Sequence, residues 1–151
     1  MALETVVLAV GPGDAERIDE LAGTTIDIVG SSGASVVLGH VFTEDEYANT
    51  VESLGFDAGG EVTPNRVAAR HATIRDLADR LDAAGIDYSV GGAVGNHGDS
   101  IIGLAEEADA DLVVVGGRQR SPTGKAVFGS TAQKVMLSAP CPVTFVRADT
   151  E

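Results

Sequence analysis

The sequence predicts an α/β fold: a single domain, residues 1–151, on an open, mostly parallel five-stranded sheet with helices on both faces. Apolar runs such as TVVLAV and SVVLGHVF are continuous and Val-rich rather than alternating, the pattern of strands buried on both sides. Segments with apolar residues at helical spacing separate those runs. Strand–helix alternation implies right-handed crossovers between parallel strands. At 151 residues the chain has the length of one domain with a proper core.

Taken in order, Thr5 to Val10 is the first strand, and Gly11 to Gly13 punctuates its end. Asp14 is placed as the N-cap of a helix whose Ile18, Leu21, Ala22, Thr25, Ile28 and Val29 share a face, with Gly30 as the stop. Ser35 to Phe42 is the second strand. Thr43 to Val62 carries Glu44, Asp45 and Glu46 and then Gly55, Gly59 and Gly60; it reads as a long mobile loop with room for a short helix. Thr63 caps and Pro64 opens one helix reaching Gly85, with Val67, His71, Ile74, Leu77, Ala78 and Leu81 inward. Ile86 to Val94 is the third strand, weakened by Gly91 and Gly92. Asp99 caps a helix through Ala108, and Asp111 to Val115 is the fourth strand. Ser130 caps a last helix to Ser138, and Val143 to Val146 is the fifth strand.

Charge is distributed unevenly. The formal net charge is −13, yet the stretch from Leu112 to Ala148 has no acidic residue and carries Arg118, Arg120, Lys125, Lys134 and Arg147. Such an acidic molecule lacks the broad basic face that nucleic-acid backbones need, and with no Trp and only six aromatic residues it offers no stacking platform. Scarce Lys beside 23 acidic residues points to a protein of concentrated salt, of haloarchaeal origin. Cys141 is the only cysteine and reads as a small hydrophobe. No leader pattern and no apolar stretch of membrane-spanning length are visible, so the expected setting is soluble and cytoplasmic, with no membrane partner.

Inside the basic stretch lies GGRQRSPTGKAVFGST, from Gly116 to Thr131, between a strand and a helix. Glycines and hydroxyls at a helix start suit a phosphate, because backbone N–H groups and the helix dipole favour negative charge. Three common signatures fail. A P-loop needs Gly at 119 and Ser or Thr at 126, where Gln119 and Ala126 stand. A dinucleotide fingerprint needs a small residue at 16, where Glu16 stands. A phosphorylatable receiver needs carboxylates where Gly11 and Gly95-Asn96 occur.

What remains, Gly116 followed after a long loop by Gly129-Ser130, resembles the G-x2-G-x9-G-[ST] signature of the universal stress protein family. His40-Val41, the DLVVVG strand and the Pro-Val terminal strand extend the resemblance over nearly the whole chain. It implies the adenine nucleotide alpha hydrolase-like variant of a Rossmann-like fold, and a stress-response regulator that binds ATP or AMP, with Mg²⁺ accompanying ATP. Gly116, Gly129, Ser130 and the Thr131 N–H would hold phosphates; Val41 and Val115 would meet the adenine; Val10, Gly11 and Asp14 would line the first loop. Two departures stand out. Gln119 replaces the middle glycine, and Gly11 aligns with an acidic residue that reads adenosine, Asp14 coming three positions late. Arg118 and Arg120 offer bidentate phosphate contacts in compensation.

The remaining polar residues suggest less. His40 and His71 read as structural, and His97 could approach a ligand from the Gly95 to Gly98 loop. No metal-ligand spacing is present. Lys125 suits a phosphate contact or a solvated loop equally. Without a carboxylate in the basic loop a dedicated enzyme is not expected. The alternatives are a slow ATP-hydrolysing enzyme and a nucleotide-free dimeric interaction module. The strand Pro142 to Arg147, last in a parallel sheet, is expected at an edge and to pair with its copy in a homodimer.

Overall fold

A computed structural model describes residues 3–11, 13–55, 62–118 and 129–148. Five parallel strands, β1 (Thr5–Val10), β2 (Ser35–Phe42), β3 (Tyr88–Val94), β4 (Leu112–Arg118) and β5 (Val143–Ala148), lie in the order β3-β2-β1-β4-β5. Six helices accompany them: α1 (Ile18–Val29), α2 (Glu44–Leu54), α3 (Pro64–Arg70), α4 (Ala72–Ala83), α5 (His97–Glu107) and α6 (Ser130–Ser138). Among the described residues the sheet is wholly parallel, and β5 lies at one edge as its sequence position implies.

Each central strand is apolar throughout because each face of the sheet is covered. Val6, Leu8 and Val10 point to α1 and α4, joining Leu21, Leu77 and Leu81. Val7 and Ala9 point the other way, to Ile101, Ala105 and Val135 of α5 and α6. A smaller cluster forms where Phe42 meets Val67, Tyr47, Val51 and Leu54.

Several elements differ from the sequence expectation. Thr43 to Leu54 is not a mobile loop. Thr43 and Glu46 form a reciprocal capping box, Tyr47, Val51 and Leu54 repeat at one-turn spacing against Phe42, and the acidic first turn suits the positive end of the helix dipole, so α2 forms. Gly55, at φ 70°, ends it. The helix from Pro64 is broken at His71, whose backbone is extended (φ −68°, ψ 135°) and whose Nδ1 accepts from the Thr73 N–H at 3.3 Å. An imidazole therefore does the work of a cap in the middle of an apolar stripe. Helix α5 begins two residues before Asp99; Asn96 is the cap, accepting from the Asp99 N–H at 3.2 Å, and Asp99 pairs with Lys134 on α6 at 2.7 Å. Strands β4 and β5 both run past their expected ends, to Arg118 and Ala148.

Gly92 does not weaken β3 so much as admit α3. A Cβ there would collide with the Pro64 carbonyl, and the Gly92 N–H donates to Asn65 Oδ1 at 2.7 Å.

Candidate functional site

The strand order reverses direction between β1 and β4, and that is where open α/β sheets form a ligand crevice. The register shows the opening. Strands β1 and β4 pair only as far as Leu8 opposite Val114, whereas β1 stays with β2 to Val10 and β4 stays with β5 to Arg118. Continued past that point, the register sets Val10 opposite Gly116 across the unpaired stretch, with Val41 beside Gly11 at the end of β2. Val10, Val41 and Val115 are buried, and Gly11 is close enough to Val41 that a Cβ would touch its Cγ2 at 3.7 Å.

The first loop is shaped by Gly13, at φ 90°, which turns the chain into a short 3-10 segment, Asp14–Arg17. Asp14 is not the simple helix cap its position suggests. Its carboxylate is buried and reaches back to accept the Gly11 N–H at 2.8 Å, while Arg17 Nε donates to it at 2.7 Å. Burial pushes the Asp14 carboxyl above its ordinary range, with the Gly11 N–H and the Arg17 cation pulling against that rise. Arg17 then crosses Gly116: a Cβ at position 116 would sit 2.9 Å from Arg17 Cδ and 3.0 Å from Leu21 Cδ2. The first glycine of the signature is thus required by packing against α1, independently of any ligand. Gly117 is likewise held open by the Phe145 ring, 2.9 Å from where a Cβ would lie.

The second wall is the start of α6. Helices α2 to α5 each begin with a side chain that accepts an N–H: Thr43, Thr63, His71 and Asn96. Helix α6 begins instead with Gly129, which supplies no side-chain cap. Gly129 and Ser130 are exposed, Thr131 is half-buried, and no side chain among the described residues caps the first amides of α6. The Arg118 backbone closes β4; its side chain, together with Gln119, Arg120, Lys125 and the rest of 119–128, lies outside the described residues.

Arg17 is the site residue that sequence reading overlooked. Its signal was the Asp14–Arg17 spacing of three, which on a helical turn brings the two side chains together.

The histidines are distributed differently from the expectation. His97 Nε2 lies 2.7 Å from Glu46 Oε1, tying the start of α5 to α2 rather than presenting a free ring. His40 is buried and stacked between Phe42 and His71, a structural ring as expected. Burial moves the Cys141 thiol above its ordinary range, the setting of an inert rather than a reactive thiol. No three His, Cys, Asp or Glu side chains among the described residues are grouped to hold a metal ion. No described helix is long and apolar enough to cross a membrane.

Residues 3–147 match the universal stress protein family. A universal stress protein of Mycolicibacterium smegmatis is 32% identical over 80 residues, a match covering 52% of this chain and 62% of that relative. A universal stress protein solved in complex with cAMP superposes with a TM-score of 0.66 at 24% identity, over 97% of this chain and 98% of that one. The universal stress protein from Archaeoglobus fulgidus in complex with dAMP gives 0.63 at 21%, over 97% and 100%. Those two structures share the fold of the five-stranded sheet and its flanking helices. With its sequence matched from end to end of the sheet, the chain belongs to the universal stress protein family.

Proposed function

We propose that the chain is a stress-response regulatory protein that binds an adenine nucleotide, ATP or AMP, in the crevice between β1 and β4. The observation that carries this reading is the uncapped start of α6. Gly129, Ser130 and Thr131 offer amides beside the sheet's carboxyl edge, where the first loop and Gly116 also converge. Val41 and Val115 flank the adenine end; Val10, Gly11 and Asp14 line the first loop; Arg118 and Arg120 serve the phosphates, with Mg²⁺ carried in by ATP. Structural relatives solved with cAMP and dAMP support an adenine nucleotide as the ligand class. The working form in this reading is a cytoplasmic homodimer joined along β5, in a concentrated-salt interior.

Denaturing the purified protein and weighing what it releases by mass spectrometry tests the ligand directly. In titrations, Ser130→Ala and Gly129→Val each weaken ATP at least about tenfold, roughly 1.4 kcal/mol. Unchanged curves for both variants place the nucleotide elsewhere. One observation favours the nucleotide-free alternative: the Asp14 carboxylate is already committed to Gly11 and Arg17. That alternative wins if the wild type releases nothing and shows no ATP or AMP titration. Steady-state phosphate release would instead favour slow ATP hydrolysis.

A further inference from the structure

On the face of β2 opposite Val41 there is a cavity of about 270 Å³ that shares only Gly11 of the first loop with the nucleotide crevice. Val41 packs toward α5 and α6, whereas Phe42 packs toward α2 and α3. The cavity's wall is a stack of three rings. His40 lies between Phe42 and His71, with centroids 4.2 Å from each. The wall is fixed in place: Tyr47 meets Phe42 edge-on at 5.6 Å, and His71 is pinned by capping α4. Glu46, Asn49 and Thr50 of α2 form the opposite, polar side, with Glu46 held by the Thr43 N–H and His97. Gly13, Ala15 and Asn49 are exposed and mark the mouth.

The geometry points to a second binding site in this cavity, for a neutral, flat heteroaromatic that carries an N–H donor. A ring stack takes a flat ligand in an offset or edge-on arrangement. The wall bears no charge at neutral pH: burial holds His40 down at about 3 and holds His71 below its ordinary value. The polar side is rich in acceptors. Burial opposes ionisation of Glu46, but the Thr43 N–H and His97 outweigh it, so its carboxylate is charged and repels anions. A preformed, mostly apolar cavity with a few fixed polar groups is the usual form of a small-molecule site. The proposal does not depend on the nucleotide reading.

Indole is the probe, with benzoate as an anion of similar shape, followed by ligand-observed NMR and by the histidine ring signals. Indole binds saturably with a Kd below about 1 mM, as a well-fitted fragment does. Benzoate binds at least about tenfold more weakly. Two variants plug the mouth from different elements, Asn49→Trp on α2 and Ala15→Phe on the first loop. Each abolishes indole binding while the unfolding temperature is unchanged, and Asn49→Trp, on α2 and away from the first loop, also leaves any ATP titration unchanged. Saturating ATP does not displace indole. The proposal is overturned by an absence of saturable binding, by equal binding of benzoate, or by undiminished binding in both folded variants. Strict competition with ATP would also overturn it, since the cavity would then belong to the nucleotide crevice.

Discussion

Arg17 lies across Gly116, so that the space a side chain at 116 would need is filled by the Arg17 Cδ and by Leu21. Gly129, the other signature glycine described, has no atom of the described residues within 4 Å of its missing Cβ. The two glycines therefore separate packing from ligand contact. Gly116→Ala overpacks the α1–β4 contact and costs about 1–3 kcal/mol, read as a lower denaturant midpoint without any nucleotide present. Gly129→Ala leaves that midpoint unchanged. Equal effects from the two substitutions would refute this distinction.

Arg17 also neutralises a carboxylate that burial disfavours. Arg17→Ala leaves Asp14 buried with only the Gly11 N–H, a loss of about 3–5 kcal/mol at neutral pH. The sign with pH follows from the direction of the Asp14 shift. Its carboxyl is already raised in the folded protein by burial, and losing the guanidinium raises it further. The folded variant then prefers the protonated acid, so its deficit is full above the raised folded value and shrinks as pH falls through it. Urea melts of wild type and variant between neutral and acid pH read the convergence; a constant gap would mean that Asp14 is not the source.

The sheet was legible because burial on both faces writes itself as unbroken apolar runs, as in Val6, Val7 and Leu8. What stayed hidden were side chains acting on backbone out of register with periodicity. His71 satisfies an apolar helical pattern at the point where its ring ends the helix by accepting the Thr73 N–H. Thr43 to Leu54 read as part of a long mobile loop with room for a short helix, because a capping box and three apolar residues one turn apart are a weak signal among acids and glycines. At the site, the chain positions of Gly116, Gly129 and Ser130 were readable as spacing. The Asp14–Arg17 pair was not, since only the fold lays Arg17 over Gly116.

Thr43 and Glu46 set the stability of α2. Thr43→Ala removes an N-cap and costs about 0.5–2 kcal/mol, seen first as faster hydrogen exchange across Glu44–Leu54. Burial resists the Glu46 charge, but the Thr43 N–H and His97 hold its carboxyl below the usual glutamate range. A depressed acid contributes stability above its unfolded value, and loses it as pH falls through the lower folded value. Glu46→Gln removes that acid-limb dependence from the α2 amides. Identical acid limbs in wild type and variant would place the titration elsewhere.

Salt screens the self-repulsion of a chain with net charge −13. The Debye length falls from about 10 Å at 0.1 M to about 3 Å at 1 M, so the unfolding temperature climbs steeply as KCl rises to a few hundred millimolar and then levels. A melting temperature that is flat from low to molar KCl would remove the case for a concentrated-salt setting.

Strand β5 is the edge where a second copy would pair. Val113 donates to the Pro142 carbonyl, and Thr144 stands opposite Val114 in the parallel register, so residues 142, 144 and 146 turn their backbone groups toward β4. By alternation, Val143, Phe145 and Arg147 turn theirs away from β4, the side on which a further strand would add. Phe145 is a poor place to test this, because its ring packs over Gly117 and a charge there would disturb the sheet itself. Val143→Pro is cleaner: proline deletes one outward N–H and spares the ladder to β4. Wild type is expected as a dimer by light scattering at micromolar concentration in high salt, and Val143→Pro as a monomer with a similar far-ultraviolet spectrum. A two-fold axis makes such a contact self-complementary, so one substitution acts twice in each dimer. A monomeric wild type, or a Val143→Pro variant that still dimerises, would move the interface off β5.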